Sequence, residues 1–189
     1  MGSETMTVPQ LSFHPDRDVW MPLPSDDSWD SASKARWLAV ALDRMVRSSP
    51  AGPSDAGALC RRVVELVAET PGPPRCVFFP IGAPHPVVAT VQVGVMGGCW
   101  HDHVRPRLLD AGRTAGSHCV DTLSHPQWEH AWRTMRLDER EHGAVTATVA
   151  FIGEWRGYGV LFEATTVHLM AAGQFAAAGR VFFDTFRLQ

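Results

Sequence analysis

The chain has 189 residues, of which 45% are apolar and 20% charged, and its formal net charge is −3. This composition is ordinary for one folded domain and gives no positive field to attract nucleic acid or anionic lipid. No apolar stretch approaches the ~20 residues that cross a bilayer, and residues 1–10 lack the apolar run of a secretory signal, so we expect a cytoplasmic protein with no membrane or nucleic-acid partner.

The first third of the sequence predicts a leader, an extended arm and two helices. Residues 1–10 are expected to form a disordered leader. Leu11–Leu23 is expected to be an extended arm, because its prolines keep it out of a central strand. Apolar side chains recur every three or four residues over Ser31–Arg47 and again over Ala56–Glu69, which predicts two amphipathic helices.

The rest of the sequence predicts strands with two further helices. Short β-branched or alternating segments predict strands over Cys76–Ile81, Val87–Met96, His118–Leu123, Ala144–Trp155 and Gly157–Met170. Capping-box spacing and the helical spacing of Trp128, Trp132 and Met135 predict a short helix over Ser124–Leu137. Spaced phenylalanines predict a last helix over Phe175–Phe186. Runs of helices and strands, without strict alternation, indicate a single α+β domain over residues 11–189, with an antiparallel sheet flanked by helices as in an α-β-α sandwich.

Parts of the sequence resemble known proteins. The opening LSFHPDRDVWMPLP, the tryptophan-containing helix after it, the central strands and the ending FFDTFRL resemble an uncharacterised actinobacterial protein family of about this length. The strand–helix ending is also similar to the α-β-α sandwich of the PsbP-type superfamily. That second resemblance implies a non-enzymatic role, because the superfamily mainly contains binding and assembly factors, although a fold alone does not fix a function.

One cluster has metal-ligating chemistry. Cys99, His101 and His103 follow the strand that ends at Met96, and thiolate and imidazole groups are common zinc ligands. In an extended chain the Cα atoms of Cys99 and His103 lie ~13 Å apart, at ~3.3 Å per residue, which is too far for one ion. The two glycines before Cys99 allow the turn that would bring them together. The alternative is a polar loop whose histidines make ordinary surface hydrogen bonds.

His118 and Cys119 form the other chemically interesting pair. Either residue could supply a fourth zinc ligand, and Cys119 could form a nucleophilic dyad with a distant histidine. A buried structural thiol is the simpler interpretation of Cys119. A serine nucleophile at Ser117 is not favoured, because G-x-S-x-G is absent and neighbouring side chains on a strand point apart. His125 and His130 are five residues apart, and the zinc-hydrolase helix motif requires four, so that motif is rejected.

The functional expectation is a non-catalytic binding or assembly module with no cofactor. Trp100 and Trp155 lie near predicted turns, where aromatic side chains suit an interface. We therefore expect a protein partner that contacts the turns and the proline-rich arm. One alternative is a small zinc-dependent enzyme or ligand-binding protein that uses Cys99, His101 and His103. Another is a cofactorless pocket enzyme of a biosynthetic pathway whose histidines act as acids and bases.

Overall fold

The computed structural model describes residues 9–23, 30–48, 53–69, 73–97, 100, 105, 109, 117–140 and 143–189. The strands are β1 (Leu11–Ser12), β2 (Trp20–Leu23), β3 (Arg75–Phe78), β4 (Val87–Val95), β5 (His118–Thr122), β6 (His130–Glu139), β7 (Val145–Trp155), β8 (Tyr158–Thr166) and β9 (Arg187–Leu188). The helices are α1 (Ser31–Ser48), α2 (Pro53–Glu69) and α3 (Leu169–Phe183).

Seven of these strands form one antiparallel sheet, in the order β2-β3-β4-β8-β7-β6-β5. Helices pack on both faces of the sheet, so the predicted α+β fold with a helix-flanked antiparallel sheet is confirmed. The arm supplies the edge strand β2, which contains Pro22, as expected for a residue that has no N–H to donate. The start of the arm forms a separate two-stranded pair, β1 with β9.

α3 covers one face of the sheet over an aromatic core. The rings of Phe151 on β7 and Phe162 on β8 stack with 5.8 Å between centroids, and both contact Phe175 of α3. Gly179 allows α3 to approach closely, because a Cβ there would lie 2.6 Å from Cε2 of Phe151. Trp20 of the arm is buried in the same core. The inner side of α3 is thereby fixed on the centre of the sheet.

α1 and α2 cover the opposite face at its β2–β3 end. Successive strand residues point to opposite sides, and Met21 and Val77 point to this side. They pack with Trp37 and Met45 of α1 and with Cys60 of α2. The sheet therefore separates two apolar clusters, one under each helical layer.

The helix predicted over Ser124–Leu137 is wrong, because most of that segment is strand. β6 begins at His130 and is hydrogen-bonded to β5 on one side and to β7 on the other. Trp128, whose spacing from Trp132 suggested a helix, is buried against Gly153 before the strand begins. Trp132 lies on the face opposite α3, where it pairs with β7. Pairing with two neighbouring strands overrides the local helical pattern.

The predicted boundary before the last helix is also wrong. The strand expected over Gly157–Met170 ends at Thr166, and α3 begins at Leu169 instead of Phe175. His168 has extended backbone angles (φ −107°, ψ 101°) and separates the two elements. Because α3 is apolar on nearly all sides, its first turns lack the polar positions that distinguish a helix from a buried strand.

Residues 10–12 meet residues 187–189. Residues 1–8 of the expected leader lie outside the described residues, but Gln10 exchanges two backbone hydrogen bonds of 3.0 Å with Gln189, beside the β1–β9 pair. The single-domain organisation stays a prediction. Within the part of the chain that the structure describes, no helix is long and apolar enough to span a membrane.

Candidate functional site

The three predicted zinc ligands, Cys99, His101 and His103, lie outside the described residues, so the zinc hypothesis stays a prediction. Among the residues that are described, no group of three or more His, Cys, Asp or Glu side chains could hold a metal ion. The two candidates for a fourth ligand are neighbours on the edge strand β5. His118 faces the side opposite α3 and Cys119 faces the α3 side, so one strand does not direct both at one ion.

The described cysteines differ in exposure. Cys60 and Cys76 are free and buried, and burial raises the pKa of the Cys76 thiol to about 12, so this thiol is an inert packing group. Cys119 is also free but is exposed, which differs from the buried thiol expected. Its Sγ lies 3.9 Å from Oδ1 of Asp121. This neighbour is a carboxylate and not the imidazole that a nucleophilic dyad requires.

A buried carboxylate lies on the face opposite α3. Glu154 of β7 is 4% exposed, and its Oε1 accepts a hydrogen bond of 3.0 Å from Nε1 of Trp100. Nε of Arg105 forms an ion pair with the same oxygen at 3.1 Å, and its guanidinium Cζ lies 5.1 Å from the ring centroid of Trp132. Buried carboxylates persist when they are paired in this way. Glu154 therefore anchors residues 100 and 105 to the sheet, and its oxygen is occupied by groups of the chain itself.

A second carboxyl group on that face is half-buried. Burial raises the pKa of Glu163 on β8, and the positive charge of Arg136 acts in the opposite direction. Nε of Arg136 already pairs with Oδ2 of Asp138 at 2.7 Å. The hydroxyl groups of Thr148 and Thr165 lie 2.9 Å apart on the adjacent strands β7 and β8. This patch combines charges of both signs with hydroxyl groups but does not favour one reaction.

A cleft of about 750 Å³ lies between the end of α1, the arm and the outer side of α3. Its walls comprise Asp18, Val19, Arg44, Arg47, Ser48, Phe78, Phe79, Ile81, Gln174, Ala177 and Ala178. The volume falls within the range of small-molecule sites, and so does the mixture of apolar walls with a few polar groups. The partners of those polar groups decide what the cleft can bind.

The two arginines of the cleft are engaged. Arg44 donates to the backbone carbonyl of Trp20 at 3.3 Å and to that of Arg17, and so ties the arm to α1. Arg47 forms an ion pair with Asp43, one turn earlier in α1. Both guanidinium groups therefore already have partners within the chain, and the larger part of the cleft wall is apolar.

Gln174 of α3 holds the turn between β3 and β4. Its side-chain amide donates to the carbonyl of Ile81 at 2.8 Å and accepts from the N–H of Ile81 at 2.7 Å. The Ile81 side chain is 76% exposed. It lies in the turn that also contains Gly82, where a Cβ would lie 3.6 Å from Cε of Met170. This clamp fixes an apolar side chain at the surface, next to the first turn of α3.

The exposed positions of α3 carry no polar side chain, and its polar residues Gln174 and Arg180 are only partly exposed. Its exposed residues, which we call the α3 ridge, are Leu169, Met170, Gly173, Ala177 and Val181. Val181 is 67% exposed and borders a second cleft, of about 380 Å³, which is also lined by residues 14–16 of the arm. A helix on the surface of a soluble domain normally turns polar residues outward. The α3 ridge therefore differs from a surface made to face water.

The α3 ridge has a signal in the sequence that is easily missed. The segment LMAAGQFAAAG has an apolar or small residue at every position except Gln174. As part of a strand, which is the prediction for Leu169 and Met170, such a run indicates burial in the sheet. Because α3 begins at Leu169, the same run places apolar side chains on the outside of a helix. The apolar pattern of the sequence does not show where this helix begins.

Comparisons with known proteins give little beyond the fold. No protein-family model and no curated protein matches the chain. Among solved structures, the chain is similar to the crystal structure of LpqN, which is involved in cell envelope biogenesis of Mycobacterium tuberculosis. The sequence identity is 12%, the TM-score is 0.49, and the match covers 99% of this chain and 87% of that one. The resemblance to an actinobacterial family and the PsbP-type similarity both stay predictions.

The prediction of a cytoplasmic location is wrong on this comparison. It rested on composition, charge and the lack of an apolar run in residues 1–10, while the neighbour in fold is involved in cell envelope biogenesis. A folded domain with ordinary composition and a small net charge is stable on either side of a membrane. Those features therefore do not report where a protein of this fold resides.

Proposed function

We propose that this chain is a non-catalytic binding or assembly module that contacts a protein partner through the α3 ridge and the two clefts beside it. The proposal is carried by the chemistry of the ridge, whose five exposed residues have no charged or hydrogen-bonding side chain. The centres of protein interfaces are likewise depleted in charged residues. The aromatic core beneath α3 gives this surface a rigid support.

Polar groups around the ridge support the same proposal. At the C-terminal end of α3, Arg180 and Asp184 form an ion pair with 3.1 Å between Nη2 and Oδ1. On the α1 side of the larger cleft, Arg47 pairs with Asp43. An apolar centre inside a polar rim is the usual anatomy of an interface, and the two clefts can receive side chains of a partner.

The residues considered for catalysis lie elsewhere. His118 and Cys119 are on β5, at the opposite edge of the sheet from the arm strand β2. Glu154 is held by Trp100 and Arg105. The zinc and pocket-enzyme alternatives remain predictions, and no contact among the described residues favours either over a binding role.

Site-specific photo-crosslinking in native host cells tests this proposal. A photo-reactive amino acid replaces Ala177 on the ridge, and a matched control replaces Val46 of α1, which is 42% exposed and lies outside the ridge. We expect a reproducible crosslinked protein from position 177 that is absent from position 46. The proposal is wrong if position 177 gives no specific product, or if both positions capture the same proteins.

A further inference from the structure

We infer that the partner of the α3 ridge is a second copy of this chain, bound through an antiparallel pair of α3 helices; this inference rests on the function proposed above. The ridge is symmetric along the helix. Leu169 lies four residues before Gly173, and Val181 lies four residues after Ala177. The residues at these four positions are therefore large, small, small and large, and the order is the same in both directions along the helix.

A two-fold axis between Gly173 and Ala177 makes the contacts self-consistent. In an isologous interface, residue i of one copy meets residue j of the other, and j meets i in return. With the axis at this point, Leu169 of each copy packs on Val181 of the other, and Gly173 packs on Ala177. Residues four apart are neighbours on one side of a helix, so these contacts share one face.

The small residues at the centre allow the two helices to approach each other. A Cβ at Gly173 would meet no atom of the chain within 4 Å, so the space above this glycine is open. Packed helices lie roughly 8–10 Å apart, and the shorter distances require small side chains at the contact. Close approach at the centre brings the larger side chains of Leu169 and Val181 into contact at both ends.

The electrostatics of the ridge suit a copy of the same surface. A charged docking surface repels its own copy, whereas the ridge carries no charge. At its border, Arg180 pairs with Asp184 and donates to the backbone carbonyl of Ser124 at 2.6 Å, which holds the guanidinium away from the ridge. The aliphatic part of Arg180 can then cover Met170 of the other copy.

The size of the ridge sets the expected affinity. α3 has 15 residues, which corresponds to a length of about 22 Å at 1.5 Å per residue. One helix face of this length buries less than the roughly 800 Å² per partner of a standard interface, even with Ile81 at its edge. We therefore expect a weak dimer that forms with increasing concentration, with a Kd in the micromolar range.

Analytical ultracentrifugation over a series of protein concentrations tests this inference. The mass of the unmodified chain is expected to rise from 20.7 kDa towards twice that value. Val181→Glu places a carboxylate against Leu169 of the other copy, so we expect the Kd to rise roughly tenfold or more, where tenfold is about 1.4 kcal/mol. Val46→Glu makes the same kind of change on α1 and should leave the Kd unchanged.

A mixture of two variants tests the antiparallel register. Leu169→Lys alone should weaken the dimer as Val181→Glu does. When the two variants are mixed, one of the two Leu169–Val181 contacts pairs opposite charges and the other keeps its native residues. Recovery of the dimer in the mixture, with neither variant dimerising well alone, is the expected result.

Three results overturn the inference. The first is a chain that stays monomeric at every concentration. If crosslinking from position 177 then still captures another protein, the proposed function stands and only the identity of the partner is wrong. The second is a dimer that Val181→Glu and Val46→Glu weaken equally, which places the contact elsewhere. The third is a mixture that dimerises no better than its components, which excludes this register.

Discussion

The two helical layers bury apolar residues against the same sheet but differ in what they present to solvent. α1 and α2 have charged side chains on their exposed sides, including Arg36, Asp43, Arg61 and Arg62. The exposed positions of α3 are all apolar or small. A helix needs an apolar face only where it packs, so the fold accounts for the inner side of α3 but not for its outer side. The outer side of α3 therefore requires a second explanation, which the proposed binding partner would supply.

Exposed apolar residues on α1 do not weaken this contrast. Val40 and Val46 are 46% and 42% exposed, but charged residues surround them along the helix. Single exposed apolar side chains are common on protein surfaces and need no special reason. On α3 the apolar side chains follow one another along a continuous face, and that continuity distinguishes the two layers.

Substitutions that leave cavities test whether the two layers are alike on their buried sides. Phe151→Ala beneath α3 is expected to lower the free energy of unfolding by about 3–5 kcal/mol, and Met45→Ala in α1 by about 2–5 kcal/mol. Both side chains are fully buried, with 0% and 1% exposure. Denaturant unfolding measures both losses. A loss below about 1 kcal/mol for either variant would show that its layer is not part of the folded core.

On the sheet face opposite α3, stability outside the area covered by α1 and α2 should depend on the ion pair between Arg105 and Glu154. Arg105→Gln is expected to lower the free energy of unfolding by about 1–2 kcal/mol, because Glu154 remains buried without its cation. The loss is smaller than for a fully buried pair, since the Arg105 side chain is 39% exposed. The matched double variant Arg105→Gln with Glu154→Gln should recover part of this loss. A double variant that is less stable than Arg105→Gln would contradict the assigned role of Glu154.

Acid should loosen the α3 layer before the α1–α2 layer. The His125 ring lies 5.6 Å from that of Phe183 in α3, and burial lowers its pKa from 6.5, while the carboxylate of Asp184 acts in the opposite direction. Its Nδ1 accepts the N–H of Gln127 at 3.1 Å, which protonation would prevent. Because the folded state has the lower pKa, this contribution to stability is complete above pH 6.5 and is lost as the pH falls below it.

Hydrogen exchange, corrected for intrinsic rates, checks the prediction between about pH 7.5 and about pH 5. We expect the amides of α3 to lose protection first, since residues 31–69 contain no histidine. His125→Asn keeps an acceptor for the N–H of Gln127 and should remove this pH dependence. His118→Asn, on the distant strand β5, is the control. The prediction fails if α1 loses protection as early as α3, or if the two variants behave alike.

The smallest effects on stability are expected from substitutions on the outer surfaces of α3 and α1. In dilute solution, Val181→Glu and Val46→Glu should each change the free energy of unfolding by less than about 0.5 kcal/mol, because both side chains face solvent. At high protein concentration, only Val181→Glu should lower the Tm, because association stabilises the folded state by mass action. Thermal unfolding at several concentrations measures the difference. If the Tm of the unmodified chain does not depend on concentration, the predicted difference between the outer surfaces of α3 and α1 is wrong.

The sequence predicted elements with strong local patterns. α1 has the predicted start and ends within one residue of the prediction, and β4 and β7 each differ from it by one residue at one end. These segments have clean periodicity that burial on one side requires. Ser124–Leu137 failed because its tryptophan spacing matched a helix while β5 and β7 bind it as a strand. A local pattern does not contain the partners that a strand finds far away in the sequence.

The candidate surface was less predictable than the fold. The arm was expected to lie at an interface, and several of its residues line the clefts beside the α3 ridge. The ridge itself follows from where α3 begins, and the uniformly apolar or small residues 169–173 conceal that boundary. The pairing of Glu154 with Trp100 and Arg105 depends on a tertiary contact across 54 and 49 positions, to which no spacing rule applies.

The pairing of β1 with β9 has a consequence for synthesis. It joins residues 11–12 to residues 187–188, so β1 cannot form this pair until α3 and β9 have both been synthesised. Contacts between such distant residues form slowly and late. Several of residues 14–19 line the two clefts, and this part of the arm gains its anchor at the β1–β9 pair only after β9 has been made. A nascent chain has no completed docking surface, which limits premature association between neighbouring copies on the same messenger RNA.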